Sequence, residues 1–321
     1  MLSTSRSAIP TGTAAPSTSR RLPVLAALAA AVALVTGVTA PAYAADPAPA
    51  PATGAQATDE QPSGAQASDE QAGTVGQADR GLPAIHPERD FAGSTVAAHE
   101  GRESVSGVFA LAATQTPGLD VSSYQGTVNW ASVKANGARF GYVKATEGTT
   151  YTNPYFTQQY NGSYNAGLIR GAYHFALPDR SSGSAQATWF VNHGGGWSRD
   201  GRTLPPALDI EYNPYGATCY GLGQSAMVSW IRSFSDTVHS RTGRYPTIYT
   251  TTDWWSQCTG DNGGFGTTNP LWVARYSSAA GTLPNGWSYQ TFWQYADSGT
   301  FPGDQNLFNG AYDRLQALAN G

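Results

Sequence analysis

From residue 117 onward the chain alternates two kinds of segment, in less length than such alternation usually occupies. Short apolar runs of strand type occur at "LDVSSY" (119–124), "RFGYVKAT" (139–146), "LIRGAYHFAL" (168–177), "LPPALDIEY" (204–212), "RYPTIYTT" (244–251), "PLWVARY" (270–276) and "YQTFWQYA" (289–296). Between the earlier ones lie stretches of helical spacing: "VNWASVKANG" (128–137), "PYFTQQYNGSYNAG" (154–167), "SAQATWFVNHG" (184–194) and "QSAMVSWIRSFSDTVHSRTG" (224–243). Each closes on Gly, the usual helix stop. Strand, helix, strand in this rhythm predicts a largely parallel sheet with crossover helices. Eight full strand–helix units take about 250 residues, and about 205 are present between 117 and 321. After residue 244 the strands follow one another with no clear helix between them. The expectation is an α/β fold: a TIM-like β/α barrel with helices missing from its second half.

In such a fold the functional residues sit at the carboxyl ends of the strands. Asp120 falls there on the first strand, Glu147 after "YVKAT", Tyr173 and His174 late in their run, and Asp209 and Glu211 at the end of "PPALDIE". Asp304 is expected in a loop beyond the last strand. Residues i and i+2 of a strand face the same side, so Asp209 and Glu211 should both face the barrel mouth while Ile210 packs outward. Two adjacent carboxylates repel, and one should hold a proton near neutrality. A pair of acids of unequal pKa is what glycosidic bond cleavage requires. The plainer reading, two structural acids paired with arginines, is weakened because no Arg or Lys lies within that strand.

The chain before this domain reads differently. Arg20 and Arg21 precede the apolar run "LPVLAALAAAVALVTGVTA", and "AYA" at 42–44 has the small-x-small form of a cleavage site. Residues 1–44 are therefore expected to be an export signal. An uncleaved membrane anchor is the alternative, and the export route stays open. Residues 45–116 are rich in Ala, Pro, Gln and acids, and "TGAQATDEQ" (53–61) recurs imperfectly as "SGAQASDEQ" (63–71). Ten acids there face only Arg80, Arg89 and Arg102. Such a segment buries too little apolar area to offset its ordering entropy, so a disordered linker or pro-segment is expected. The stretch "HPERDFAGSTVAAHEG" (86–101) is less simple. Whether it packs on the domain or is trimmed away stays open.

The domain at 117–321 carries twelve acidic and twelve basic residues, with no basic stripe, so nucleic acid is not an expected partner. "GGG" (194–196) lacks the strand and Lys of a phosphate loop. The five His show no HxH or HExxH spacing, and no metal site is expected. Both cysteines, Cys219 and Cys258, lie in this domain. An even count in an exported protein favours a disulfide over two free thiols. With 9 Trp and 17 Tyr, the chain is well supplied with rings that stack on sugars, although core filling explains many of them equally.

Seven motifs occur together and in order: "GLDVSSYQG" (118–126), "YVKATEGTTYTNPYF" (142–156), "RGAYHFALP" (170–178), "PALDIEYN" (206–213), "PTIYT" (246–250), "PLWVARY" (270–276) and "FWQYADSG" (292–299). Each alone is weak; the set resembles the family 25 glycoside hydrolases, secreted lysozymes of the N-acetylmuramidase type, over essentially all of 117–321. The resemblance implies a flattened, irregular barrel lacking several helices. It implies an extracellular, monomeric enzyme that hydrolyses the β-1,4 bonds of peptidoglycan glycan strands, with no cofactor and no membrane contact once the signal is cleaved. Glu211 takes the role of general acid and Asp209 that of its partner. Asp120 matches the first-strand Asp. Asp304 in "PGDQN" matches the late Asp, with Asp297 in "YADSG" as rival, since Gly303 and Asn306 flank Asp304 less typically. Tyr173 matches a tyrosine that holds the substrate's acetamido group. Glu147, Tyr142, Trp272, Tyr276 and Trp293 are further candidates for sugar contacts, and for Tyr142 and Trp293 a core role is the equal alternative. Two other functions stay open: a chitinase-like hydrolase, which also uses an Asp-x-Glu strand ending, and a wall-binding module that keeps the cleft without the chemistry.

Overall fold

The computed structural model describes residues 81–103 and 114–321. The export signal expected at 1–44 and the polar stretch up to residue 80 lie outside the described residues. The elements are, in chain order, α1 (Val96–Glu100), β1 (Thr116–Val121), α2 (Trp130–Ala135), β2 (Phe140–Glu147), β3 (Tyr151–Thr152), α3 (Phe156–Asn165), β4 (Ile169–Phe175) and α4 (Gly183–Asn192). They continue with β5 (Ala207–Asp209), α5 (Gln224–Thr242), β6 (Thr247–Thr250), α6 (Thr252–Thr259), β7 (Leu271–Ala274), β8 (Phe292–Ala296), β9 (Asp304–Phe308) and α7 (Tyr312–Asn320).

The strands follow the order β1-β9-β8-β7-β6-β5-β4-β2-β3, and β1 also pairs with β2. Eight strands therefore close into a barrel, and the short β3 hangs from β2. The barrel strands from β1 to β8 run parallel. β9 runs antiparallel to both of its neighbours. This is the irregular β/α barrel that the rhythm of the sequence predicts.

The four helices read from the sequence are present as α2 to α5. Polar caps begin two of them: Asn129 accepts from the amide of Ser132, and Ser182 from that of Ala185. The second half is thinner in helices, but not bare. α6 is capped by the Thr251 side chain and stopped by Gly260 at φ 66°. Its Trp254–Trp255 pair blurs the periodicity that would announce it. Only the loop 275–291 joins β7 to β8, and a turn joins β8 to β9.

A second correction concerns Asp304. It is not in a loop after the last strand; it opens β9. The strand escapes a hydrophobic reading because its inward residues are Asp304, Asn306 and Phe308, and two of the three are polar.

Alternation sorts the side chains cleanly. Leu208, Ile210, Ile248, Leu271, Val273, Trp293 and Leu307 join the layer under the helices. Phe140, Tyr142, Ile169, Tyr173, Tyr249, Trp272, Phe292 and Phe308 fill the barrel. Glycines make room for these rings. A Cβ on Gly118 would lie 2.4 Å from the Phe140 ring, and one on Gly171 would lie 2.2 Å from that of Tyr142. Large residues facing small ones fill a barrel interior without a pore. At the end where the strands begin, α7 closes the barrel with Leu315 and Ala319.

The disulfide joins Cys219, in the loop after β5, to Cys258 in α6, with a Cα–Cα distance of 5.3 Å. Residues 81–103, which composition groups with the polar segment, lie against the barrel. Ala92 and Val96 are fully buried in the barrel-interior cluster, so this part of the segment carries apolar anchors that its overall composition hides.

Candidate active site

The carboxyl ends of the parallel strands bring four acids to one mouth. Asp120 comes from β1, Asp209 ends β5, Glu211 follows two residues later, and Asp304 opens β9. Because β9 is antiparallel, its first residue lies at the same end as the last residues of its neighbours. Asp120 and Asp304 are register partners. All four are buried, with exposures of 2%, 1%, 0% and 2% in chain order.

Each acid has a different environment. Asp120 is held on one oxygen: its Oδ2 accepts from Gln294 Nε2 at 2.9 Å and from Asn306 Nδ2 at 2.6 Å. Asn306 is fixed in turn by the Trp272 indole, which donates to Asn306 Oδ1 at 2.8 Å. Burial pushes Asp120 up to about 7, against the lowering effect of those two amide donors. Glu211 accepts the Gly93 backbone N–H at 2.6 Å on Oε1 and the Thr95 hydroxyl at 3.1 Å on Oε2. Burial raises it to about 8 even so. Asp209 has no hydrogen-bond partner on either oxygen among the described residues. Burial, then repulsion from Glu211, holds it well above the ordinary carboxylate range. Asp304 is raised by burial and then by Asp120. The sequence predicts one raised acid beside an Asp209 that stays ionised or shares a proton with a neighbour; here all four rise, with burial the largest cause for each.

The other predicted residues divide. Tyr173 reaches the mouth, where its hydroxyl accepts the Ala92 N–H at 3.3 Å. Tyr276 donates to Gly93 O at 3.0 Å and to Gln294 Oε1 at 3.2 Å. Glu147 is brought in by a register break in β2 between Lys144 and Thr146, a bulge that re-aims the strand's last residue. It pairs with Lys144 Nζ at 2.5 Å and accepts from the Tyr215 hydroxyl at 2.7 Å. Trp272 stands behind the carboxylates as the support of Asn306. Tyr142 is not in the mouth: its hydroxyl donates at 3.1 Å to the carbonyl of Pro205, which precedes β5. Trp293 packs on the outer layer and donates to the Arg275 carbonyl at 2.9 Å. Asp297 lies in the turn after β8, where Arg102 Nε donates to it at 2.8 Å. His174 alternates outward, between Thr146 and Gln186, and burial lowers it to about 3, leaving a neutral structural ring.

Several site residues are not singled out by the sequence reading: Gln294, Asn306, Lys144, Tyr249 and Tyr215. Two of them share a signal, a polar group two positions from a residue the sequence singles out: Asn306 follows Asp304, and Lys144 follows Tyr142. Among the described residues no cluster of His, Cys, Asp and Glu is arranged to hold a metal ion.

Comparison with known proteins agrees with this geometry. The sequence profile of Glycosyl hydrolases family 25 matches residues 119–304. An N,O-diacetylmuramidase from Chalaropsis sp is 53% identical over 208 residues, covering 64% of this chain and 99% of that protein. Lysozyme M1 from Streptomyces globisporus is 52% identical over 208 residues, covering 63% of this chain and 71% of that protein. The solved structure of a muramidase from Acremonium alcalophilum superposes with a TM-score of 0.63 at 61% identity, covering 64% of this chain and 99% of that one. A barrel with acids gathered at its carboxyl mouth, a family match over the same residues and relatives more than half identical have one conclusion: the chain belongs to glycosyl hydrolase family 25, and it is a glycoside hydrolase.

Proposed function

We propose that the protein is an extracellular muramidase that cuts the β-1,4 bond between N-acetylmuramic acid and N-acetylglucosamine in peptidoglycan. Glu211 is the general acid. Its elevated pKa, about 8 in this buried setting, keeps a proton available for the leaving glycosidic oxygen near neutrality. Asp209 is the partner that orients the substrate's own acetamido group, whose oxygen attacks the anomeric carbon to form a cyclic oxazolinium ion. The observation that carries this reading is that both Asp209 oxygens are buried and, among the described residues, without a hydrogen-bond partner. An acetamido N–H would supply one. Tyr173 and Asp120 complete the pocket, with Asp304 on its far side. The names of the similar proteins, muramidase and lysozyme, support the choice of polymer.

Two measurements test this on one digest of purified peptidoglycan. The new reducing ends should be N-acetylmuramic acid; N-acetylglucosamine ends would show the chitinase-like alternative. Proton NMR of the fresh product should show retention at the anomeric carbon, as attack by the acetamido group requires. Inversion would recast Asp120 or Asp304 as a base that activates water.

A further inference from the structure

An enzyme for a wall polymer needs an open cleft, and here the carboxylates are covered. Of two surface cavities, of about 320 and 340 Å³, the second borders the mouth at Tyr276, and neither reaches the acids. The first is lined by Asn269, Trp287, Phe308 and Leu318, and the second by Glu100, Asp253, Arg275 and Tyr276. Neither is lined by Asp120, Asp209, Glu211 or Asp304. At the mouth, the chain's own stretch 81–103 lies on Glu211 and on its neighbours Tyr173, Gln294 and Tyr276.

We propose that residues 81–103 are an autoinhibitory segment bound in the substrate cleft, so that the full-length chain is latent until the segment leaves. This rests on the function proposed above and identifies what regulates that site.

The contacts are those of a ligand. The peptide unit joining Ala92 to Gly93 is a secondary amide, like the acetamido group of an amino sugar. Its N–H donates to Glu211 Oε1 at 2.6 Å, and its carbonyl accepts from Gln294 Nε2 at 2.8 Å. The hydroxyl of Tyr276 donates to the next carbonyl, Gly93 O, at 3.0 Å, and Thr95 takes the second oxygen of Glu211. Beside them Lys144 donates to the carbonyls of Pro87 at 3.1 Å and Asp90 at 2.5 Å. The proposed acid is thus engaged on both oxygens by the segment, and no sugar oxygen can reach it.

The fit is close enough to require glycine. Gly93 has φ +93°, and a Cβ there would lie 2.2 Å from the Tyr276 hydroxyl, 2.5 Å from Gln294 Oε1 and 2.9 Å from the Tyr249 hydroxyl. The ends of the segment are clamped to the rim. Tyr212 donates to Glu100 at 2.8 Å and stacks on His99 at 3.9 Å. Glu103 accepts from Arg275 at 3.0 Å and from Ser277 at 2.5 Å.

The segment is not needed to complete the fold. Every barrel strand comes from residues 116 to 308, and the family match begins at residue 119. The Acremonium alcalophilum muramidase is covered over 99% of its length by 64% of this chain. A barrel beginning at Gln115 is therefore a folded unit to compare with the full chain.

The test measures turnover of a peptidoglycan suspension by the full-length chain, by its Gly93→Leu variant and by the barrel beginning at Gln115. A segment tethered at an effective concentration of about 1 mM, if that is about a hundredfold above its dissociation constant in trans, holds the cleft closed about a hundred to one. The full-length chain should therefore be about a hundredfold slower than the barrel. Gly93→Leu lies outside the barrel and should restore most of the lost rate. A synthetic 81–103 peptide should inhibit the barrel competitively, and its Gly93→Leu counterpart should not. Equal rates for full-length chain and barrel, unchanged by Gly93→Leu, would overturn the proposal. A barrel that leaves peptidoglycan intact sinks the functional reading instead. Calorimetry of the two peptides with the barrel then decides on the segment: binding by the native peptide alone upholds it, and no binding removes it.

Discussion

Asp120 and Asp304 sit directly opposite one another in the antiparallel pairing of β1 with β9, both pointing into the barrel and both almost without water. Asp120 is pushed up to about 7, and Asp304 is raised by burial and by Asp120 itself. Two facing acids under these conditions share protons and do not ionise together.

This relationship makes stability fall as pH rises. Folded-state pKa values above the unfolded ones mean that the folded chain binds more protons, so its advantage is full below about pH 4 and is lost as pH climbs toward the folded values. For Asp120 and Glu211 those are about 7 and about 8. Buried His174, held at about 3 in the fold, works the other way below about pH 6.5, so the midpoint of thermal unfolding of the full-length chain should decline between about pH 6.5 and 8, where only the acids still titrate. Asp304→Asn removes one member of the facing pair and should flatten the decline. A midpoint that rises over that range would show these acids ionised in the folded state.

Glu211→Gln tests acid catalysis. The amide keeps the side-chain shape but supplies no proton, so turnover should fall by about a hundredfold or more. Asp209→Asn should be nearly as damaging. Substrate binding should survive both changes, which separates an enzyme from a wall-binding module. Desolvation is the largest cause of the raised Glu211 value, and Asp90 and Glu100 of the segment add to it; removing the segment takes these away along with the lowering Gly93 and Thr95 hydrogen bonds, and with desolvation the largest cause the value falls. The basic limb of the barrel's kcat/KM profile should thus fall below pH 8, and a limb above 8 would contradict this.

The chain from Trp272 through Asn306 to Asp120 suggests a positioning role for Asn306. Its amide is one of two donors that lower the pKa of Asp120. Asn306→Ala should raise that pKa further and shift the pH profile. It should reduce kcat by about tenfold, the scale of one hydrogen bond to a charged group, with little change in KM. A loss confined to KM would place Asn306 in plain substrate binding.

The barrel was legible because its outer layer obeys simple patterns: apolar residues at every second position of the strands, and helices punctuated by glycine. Asp209 and Glu211 stood out as two charges inside such a run. What stayed hidden has physical reasons. β9 is polar on its inward face, so no hydrophobic signal marks it. The bulge that delivers Glu147 depends on register with β4. The placement of 81–103 depends on tertiary complementarity between a short backbone stretch and a mouth assembled from strands more than a hundred residues away. The sequence marks 86–101 only as less simple than the linker around it and leaves open whether it packs on the domain.

The disulfide between Cys219 and Cys258 links the loop that follows Asp209 and Glu211 to α6. That loop also carries Tyr212 and Tyr215, which hold Glu100 and Asp90 of the segment. Closing a loop across a sequence separation of 39 stabilises by about 3–4 kcal/mol in the chain-entropy model. For a domain of this size that loss corresponds to a drop of roughly 10 °C in the unfolding midpoint. Cys219→Ser with Cys258→Ser should show this drop in the barrel beginning at Gln115. In the full-length chain the same pair should also weaken latency, because Tyr212 and Tyr215 lose part of their anchorage. The measurement is the ratio of full-length to barrel activity with and without the bridge. A ratio that moves toward one on removing the disulfide supports a coupling between bridge and segment. An unchanged ratio with a lowered midpoint confines the bridge to stability.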